Sequence, residues 1–125
     1  MEKIIYVCIN KTYQAFSMGA RPKGRETLYE CTRKYWPVDP FKANQAEYIA
    51  GVYKGIIQTL YKRTEKWRVV SSFKEFVNDA EVKENPNLLN RYAFTGVDAE
   101  QTMKDRYIET RMLGRFRGNI VSYNY

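Results

Sequence analysis

Thr32-Arg33-Lys34-Tyr35-Trp36 interleaves two cations with two rings. Single-stranded nucleic acid suits that combination, because guanidinium and ammonium groups follow phosphates while ring faces stack on bases. Trp36 precedes Pro37, which restrains its backbone, so its ring serves either as a fixed stacking face or as a core anchor. The same stretch also fits an edge strand with half-buried rings. A second basic run, Tyr61-Lys62-Arg63-Thr64-Glu65-Lys66-Trp67-Arg68, reads as a phosphate-contacting loop or as a solvated hairpin exit with Trp67 in the core. Arg111, Arg115 and Arg117 surround Gly114 and Gly118, where guanidiniums and bare amides could approach an anion. No Gly-Lys-Ser/Thr follows, so this is not a phosphate loop of the nucleotide-binding kind.

Composition removes other chemistries. There is no His, which takes away the commonest zinc ligand and the commonest general base, and 2 Cys cannot complete a closed zinc site. No metal and no cofactor are therefore expected. Cys8 and Cys31 sit among apolar or β-prone neighbours, where a free thiol packs as a small hydrophobe; a disulfide or a reactive thiol is the alternative. The net charge of +7 invites an acidic partner. Residues 79–100 carry only Lys83 and Arg91 against Asp79, Glu81, Glu84, Asp98 and Glu100, so a basic side and an acidic side are expected. The Ile4-Ile5-Tyr6-Val7-Cys8-Ile9 run is too short to span a bilayer and lacks a cleavage site after it, which points to no membrane partner and a cytoplasmic location.

The 125 residues, 44% hydrophobic with 11 Tyr, 6 Phe and 2 Trp, are enough for one core, so residues 1–125 are read as a single domain. Lys3 to Asn10 reads as a strand, Thr12 to Arg25 as a long loop broken by Gly19, Pro22 and Gly24, and Leu28 to Trp36 as a second strand. Asp39 caps a short helix beginning at Pro40, with Phe41, Ala43 and Ala46 turned inward. Tyr48–Tyr53 and Ile56–Tyr61 form a hairpin through Lys54-Gly55. Ser71 or Ser72 caps a turn carrying Phe73, Phe76 and Val77, and Asn85-Pro86-Asn87 is a loop. A brief strand over Arg91 to Gly96, a helix capped by Asp98 and running to Ile108, and a closing strand over Ile120 to Tyr125 complete the chain. The class is α+β: a small curved barrel, antiparallel or mixed, flanked by two or three short helices, with an open sheet as the competing architecture.

Several of these stretches resemble a known family when taken together: Leu28-Tyr29-Glu30-Cys31-Thr32-Arg33, Trp36, Ala46-Glu47-Tyr48, Val52-Tyr53-Lys54-Gly55-Ile56, Trp67, Arg91-Tyr92-Ala93-Phe94-Thr95-Gly96 and Gly118-Asn119-Ile120-Val121-Ser122-Tyr123-Asn124. The chain is similar over nearly its full length to a prokaryotic and phage family of PUA-like domains. It departs from that pattern in having Lys34 rather than glycine after Arg33, and Ile120 rather than proline after Asn119. The resemblance implies a PUA-like barrel of the group that includes ASCH, EVE and YTH domains, many of which bind RNA or modified bases. It also admits histidine-free hydrolysis of the ASCH type, for which Lys54, Glu30 or Glu47, and Thr32 would be the set.

The reading is a nucleic-acid-binding module, RNA or DNA, that takes a modified or flipped base into an aromatic pocket with a basic rim. Arg33, Lys34, Trp36, Tyr53, Lys54, Trp67, Phe94, Arg115 and Arg117 are the candidate site. The alternative is a phage or mobile-element effector that binds and inhibits a host protein. A monomer or weak dimer is expected.

Overall fold

The computed structural model describes residues 2–19, Arg25 and residues 27–125. Strand β1 (Ile4–Cys8) is followed by helices α1 (Asn10–Ser17), α2 (Leu28–Arg33) and α3 (Pro40–Ala43). Strands β2 (Tyr48–Tyr53), β3 (Ile56–Arg63) and β4 (Arg68–Val69) come next, then α4 (Lys74–Val77) and α5 (Ala80–Glu84) between two 3₁₀ turns, Val70–Ser72 and Pro86–Asn90. Strands β5 (Tyr92–Ala93) and β6 (Gly96–Asp98), helix α6 (Gln101–Tyr107) and strand β7 (Val121–Tyr123) end the chain. No helix among the described residues is long and apolar enough to cross a membrane.

The fold is mixed α+β around a five-stranded sheet in the order β6-β3-β2-β1-β7. Strands β1 and β2 are parallel, which a tight turn cannot connect, and the connection between them carries α1 to α3 over one face. The strands do not close into the expected barrel: β6 and β7 are free edges. Helical cover lies on both faces instead. Alternation along β1 sends Ile5 and Val7 into a cluster with Ile49, Trp36, Trp67 and Phe94, while Ile4 and Tyr6 join Ala50, Leu60, Met103 and Met112 under α6. A smaller cluster, with Val70, Phe73, Phe76, Val82 and Leu88 packed on Tyr35, fastens the 70–90 helical segment to the body.

The hairpin forms as expected, because Lys54 and Gly55 both take positive φ, +50° and +82°, the backbone of a two-residue turn that matches strand twist. Gly51 pairs with Thr59 and Val52 with Ile57, leaving Gln58 as a bulge. A Cβ on Gly51 would lie 2.8 Å from Thr59 Oγ1 and 3.1 Å from Thr32 Oγ1, so the glycine is what lets α2 approach the sheet.

Several expectations fail for local reasons. Thr12 to Arg25 is not all loop: α1 occupies Asn10–Ser17, and the breakers come after its end, with Ala20 to Gly24 outside the described residues. Leu28 to Trp36 is a helix up to Arg33, because Thr27 Oγ1 accepts the Glu30 amide at 3.1 Å and starts it. Asp39 caps α3 as read, and Ala43 and Ala46 are buried, but Phe41 is 82% exposed. Neither Ser71 nor Ser72 caps α4, and Asn85-Pro86-Asn87 runs into the second 3₁₀ turn. The strand read over Arg91 to Gly96 is two strands in different sheets, and α6 starts at Gln101, with Glu100 at the cap position, because Asp98 is still in β6.

Candidate functional site

Most of the candidate residues of the 32–36 segment are committed to the core. Arg33 ends α2 and is 8% exposed; its Nε donates to Phe94 O at 3.0 Å, one amino group reaches Thr95 Oγ1 at 3.3 Å, and the other meets Glu30 at 3.4 Å. Its guanidinium also lies over the rings of Tyr29 and Phe76. Lys34, 3% exposed, has Nζ 3.0 Å from Glu30 and 4.0 Å from Asp79. These cations are already neutralised, and a buried charge survives only because it is paired. Both are held inside by these partners rather than presented to solvent.

The rings are placed likewise. Trp36 is 6% exposed, bridges Tyr92 through backbone hydrogen bonds in both directions at 2.9 Å, and donates from Nε1 to Thr32 O. Phe94 is fully buried, with Trp67 edge-on to it at 5.2 Å and Tyr61 and Tyr29 completing the cluster. Trp67 Nε1 is buried without a hydrogen-bond partner among the described residues. Trp36, Trp67 and Phe94 therefore cannot offer open stacking faces. Tyr53 is half-buried and packs on Tyr13 at 4.7 Å, while Lys54 stands at the exposed hairpin turn with Nζ 5.3 Å from the Tyr53 ring.

The hydrolytic set is not assembled. Glu47 and Lys54 flank opposite ends of the six-residue strand β2, about 20 Å apart at a strand's rise per residue, and Glu30 is taken by Arg33 and Lys34. Among the described residues no group of His, Cys, Asp or Glu is arranged to hold a metal ion. Cys8 and Cys31 are both free, and burial pushes the Cys31 thiol above its usual range.

What the structure does gather is a groove along the β7 edge. At the carboxyl end of β1 a depression of about 220 Å³ has Cys8, Tyr35, Trp36, Leu88 and Ile120 in its wall and Lys11, Arg25, Lys34 and Arg91 around it. Arg91 and Ile120 also line the next depression, with Asn119, Val121 and Tyr123, and those three continue into a third that adds Lys42, Arg115 and Arg117. Each depression shares lining residues with the next, so the three adjoin along the β7 edge. Among the described residues Glu81 is the single acid lining them, and Arg25 holds that carboxylate at 2.9 Å.

Charge on this path follows from how the acidic segment is spent. Asp79 faces Lys34, Glu81 holds Arg25, Asp98 holds Lys104 at 2.6 Å and Glu100 holds Lys62 at 2.9 Å. The segment thus commits its carboxylates to cations, Arg25 and Lys34 at the first depression and Lys62 and Lys104 away from it. Lys11, Lys42, Arg91, Arg115 and Arg117 are left with no ion pair among the described residues. Arg115 and Arg117 are exposed and make no side-chain hydrogen bond among the described residues either; Arg117 takes φ +52° between Gly114 and Gly118 at +75° and +82°, a backbone that turns the loop sharply. Lys42 rests over the Tyr123 ring at 4.5 Å.

Sequence reading placed Arg115 and Arg117 on this loop, and Lys34 and Trp36 do line the groove's deep end, but from inside the wall. Lys11, Lys42, Arg91 and Tyr123 were missed. They come from α1, α3, the residue before β5, and β7, and no local pattern links them; the packing of Trp36 against Tyr92 and of Ile120 beside Cys8 brings them together. Compared with known protein families, with curated proteins and with solved structures, the chain matches none.

Proposed function

We propose that this chain is a nucleic-acid-binding domain whose ligand lies along the β7 groove. Phosphates meet Arg115, Arg117, Lys42 and Arg91, and a base, modified or flipped out of its stack, enters the depression beside Tyr35 and Trp36. The observation that carries the reading is the run of cations that lack carboxylate partners among the described residues, along adjoining depressions whose one described acid is already bonded to Arg25. Unpaired cations release counterions from a polyphosphate when it binds, which supplies affinity without sequence preference. A kinship with PUA-like domains is part of the proposal and rests on the motif residues that suggest it.

Electrophoretic shift with single- and double-stranded RNA and DNA, with and without modified bases, at two salt concentrations tests it. Binding that weakens steeply as salt rises is expected. Absence of binding to every probe at low salt would overturn it and favour an effector that docks on a host protein.

A further inference from the structure

Of the aromatic residues, only Phe41 falls in the exposed class, at 82% of its surface; every other ring is buried or half-buried. Its backbone is pinned, since Asp39 Oδ1 accepts its amide at 3.0 Å and Pro40 begins the same short helix. The inward face of α3 is already filled by Ala43, so the ring does nothing for the core. Phe41 immediately precedes Lys42, which lines the groove with Arg115, Arg117 and Leu113. Leu113 is 52% exposed although its amide is fixed to Tyr6 Oη at 3.3 Å. Two of the large exposed apolar side chains of the described residues are therefore carried at, or next to, the same end of a cationic path.

A duplex presents phosphates and keeps its base faces stacked inside, so an exposed ring beside a phosphate track gains nothing from it. A single strand offers a π-face with every base, and a ring next to a cation is the seat such a face takes. We infer that the groove's ligand is single-stranded, with a base stacked on Phe41 while the adjoining phosphates are held by Lys42 and the 115–117 arginines. This deepens the nucleic-acid reading above and rests on it.

Fluorescence anisotropy on the full chain tests it, using a fluorescein-labelled mixed-sequence oligonucleotide, as RNA and as DNA, alone and annealed to its complement. The single strand should bind at least about tenfold more tightly than the duplex. Phe41→Ala should weaken single-strand binding by about 5- to 150-fold, the range that about 1–3 kcal/mol per stacked base corresponds to, and leave duplex binding and the melting temperature unchanged. Phe41→Trp should restore it. Equal affinity for strand and duplex, or equal losses on both from Phe41→Ala, overturns the inference. If Arg115→Ala with Arg117→Ala still abolishes binding in that case, the groove stands and only the single-strand specificity falls; if no probe binds the unaltered chain, both fall.

Discussion

The Trp36 indole nitrogen donates to the Thr32 carbonyl oxygen at 2.6 Å, spanning the point where helix α2 gives way to extended chain. That bond satisfies a carbonyl at a helix end, which has no partner within the helix, and draws the indole into the cluster with Trp67, Phe94 and Ile49. Trp36→Ala should lower stability by about 3–5 kcal/mol through lost burial and the cavity left behind. Trp36→Phe keeps a ring but leaves Thr32 O unpaired, and should cost about 1–3 kcal/mol. Urea unfolding checks both, and an Ala variant as stable as the parent would mean the indole is not in the core.

Asp79 accepts from the Tyr35 hydroxyl and faces Lys34, tying the acidic segment to the strand-like link after α2. Burial, and then that carboxylate, push the Tyr35 phenol far above its ordinary range. Asp79→Ala should destabilise the protein by about 1.5–3 kcal/mol, the worth of a hydrogen bond to a charged group, with Lys34 still held by Glu30. A change under about 0.5 kcal/mol, typical of an unconnected surface site, would contradict this.

Gly96 pairs with Arg63 where β6 joins the sheet, and a Cβ there would lie 2.5 Å from the Lys62 carbonyl oxygen. The obstacle is backbone and cannot swing aside. Gly96→Ala should cost about 1–3 kcal/mol, as other overpacked sites do, and should speed amide exchange at the β3–β6 pairing before the rest of the sheet. Unchanged exchange at 61–63 and 96–98 would show that β6 is not held as described.

How far the sequence can be read depends on whether the deciding contact is local. Lys54-Gly55 sets its own turn, and Asp39-Pro40 its own helix start, so both were legible. Thr27 and Glu30 carry the Thr-x-x-Glu spacing of a helix start and could have exposed α2; the apolar and β-prone residues after them hid it. Trp36, Arg33 and Lys34 looked like a binding strip because, although Glu30 and Thr32 are local partners, the others that enclose them, Tyr92, Phe94 and Asp79, stand more than forty residues away. The groove has the same character: Lys42 and Arg117 line one depression and Arg91 the adjoining one only in the folded chain.

Stability should respond to acid through Glu100. The Lys62 ammonium, a backbone amide and the Tyr48 hydroxyl hold its carboxyl down at about 2, against 4.5 for the ordinary group. In the window between those values the folded chain binds fewer protons than the unfolded one, so stability rises with pH there; the contribution is complete above about 4.5 and is lost as pH falls toward about 2. Glu100→Gln removes it. The variant's melting temperature should fall below the parent's at neutral pH, and the gap should narrow through that window. A gap that stays constant to the acid end would show that Glu100 is not held by these partners.

The most direct measurement of the central claim is the slope of log affinity against log salt for the parent and for the Arg115→Ala, Arg117→Ala double variant on the same single strand. Each phosphate contact contributes about 0.7 to that slope, so the parent should fall steeply and the double variant's slope should be shallower by about 1.4, with its melting temperature kept. The arginines make no hydrogen bond or ion pair among the described residues, so their removal should not unfold the chain. Identical slopes for the two proteins, or affinity that does not change with salt, would contradict the placement of the ligand in the β7 groove.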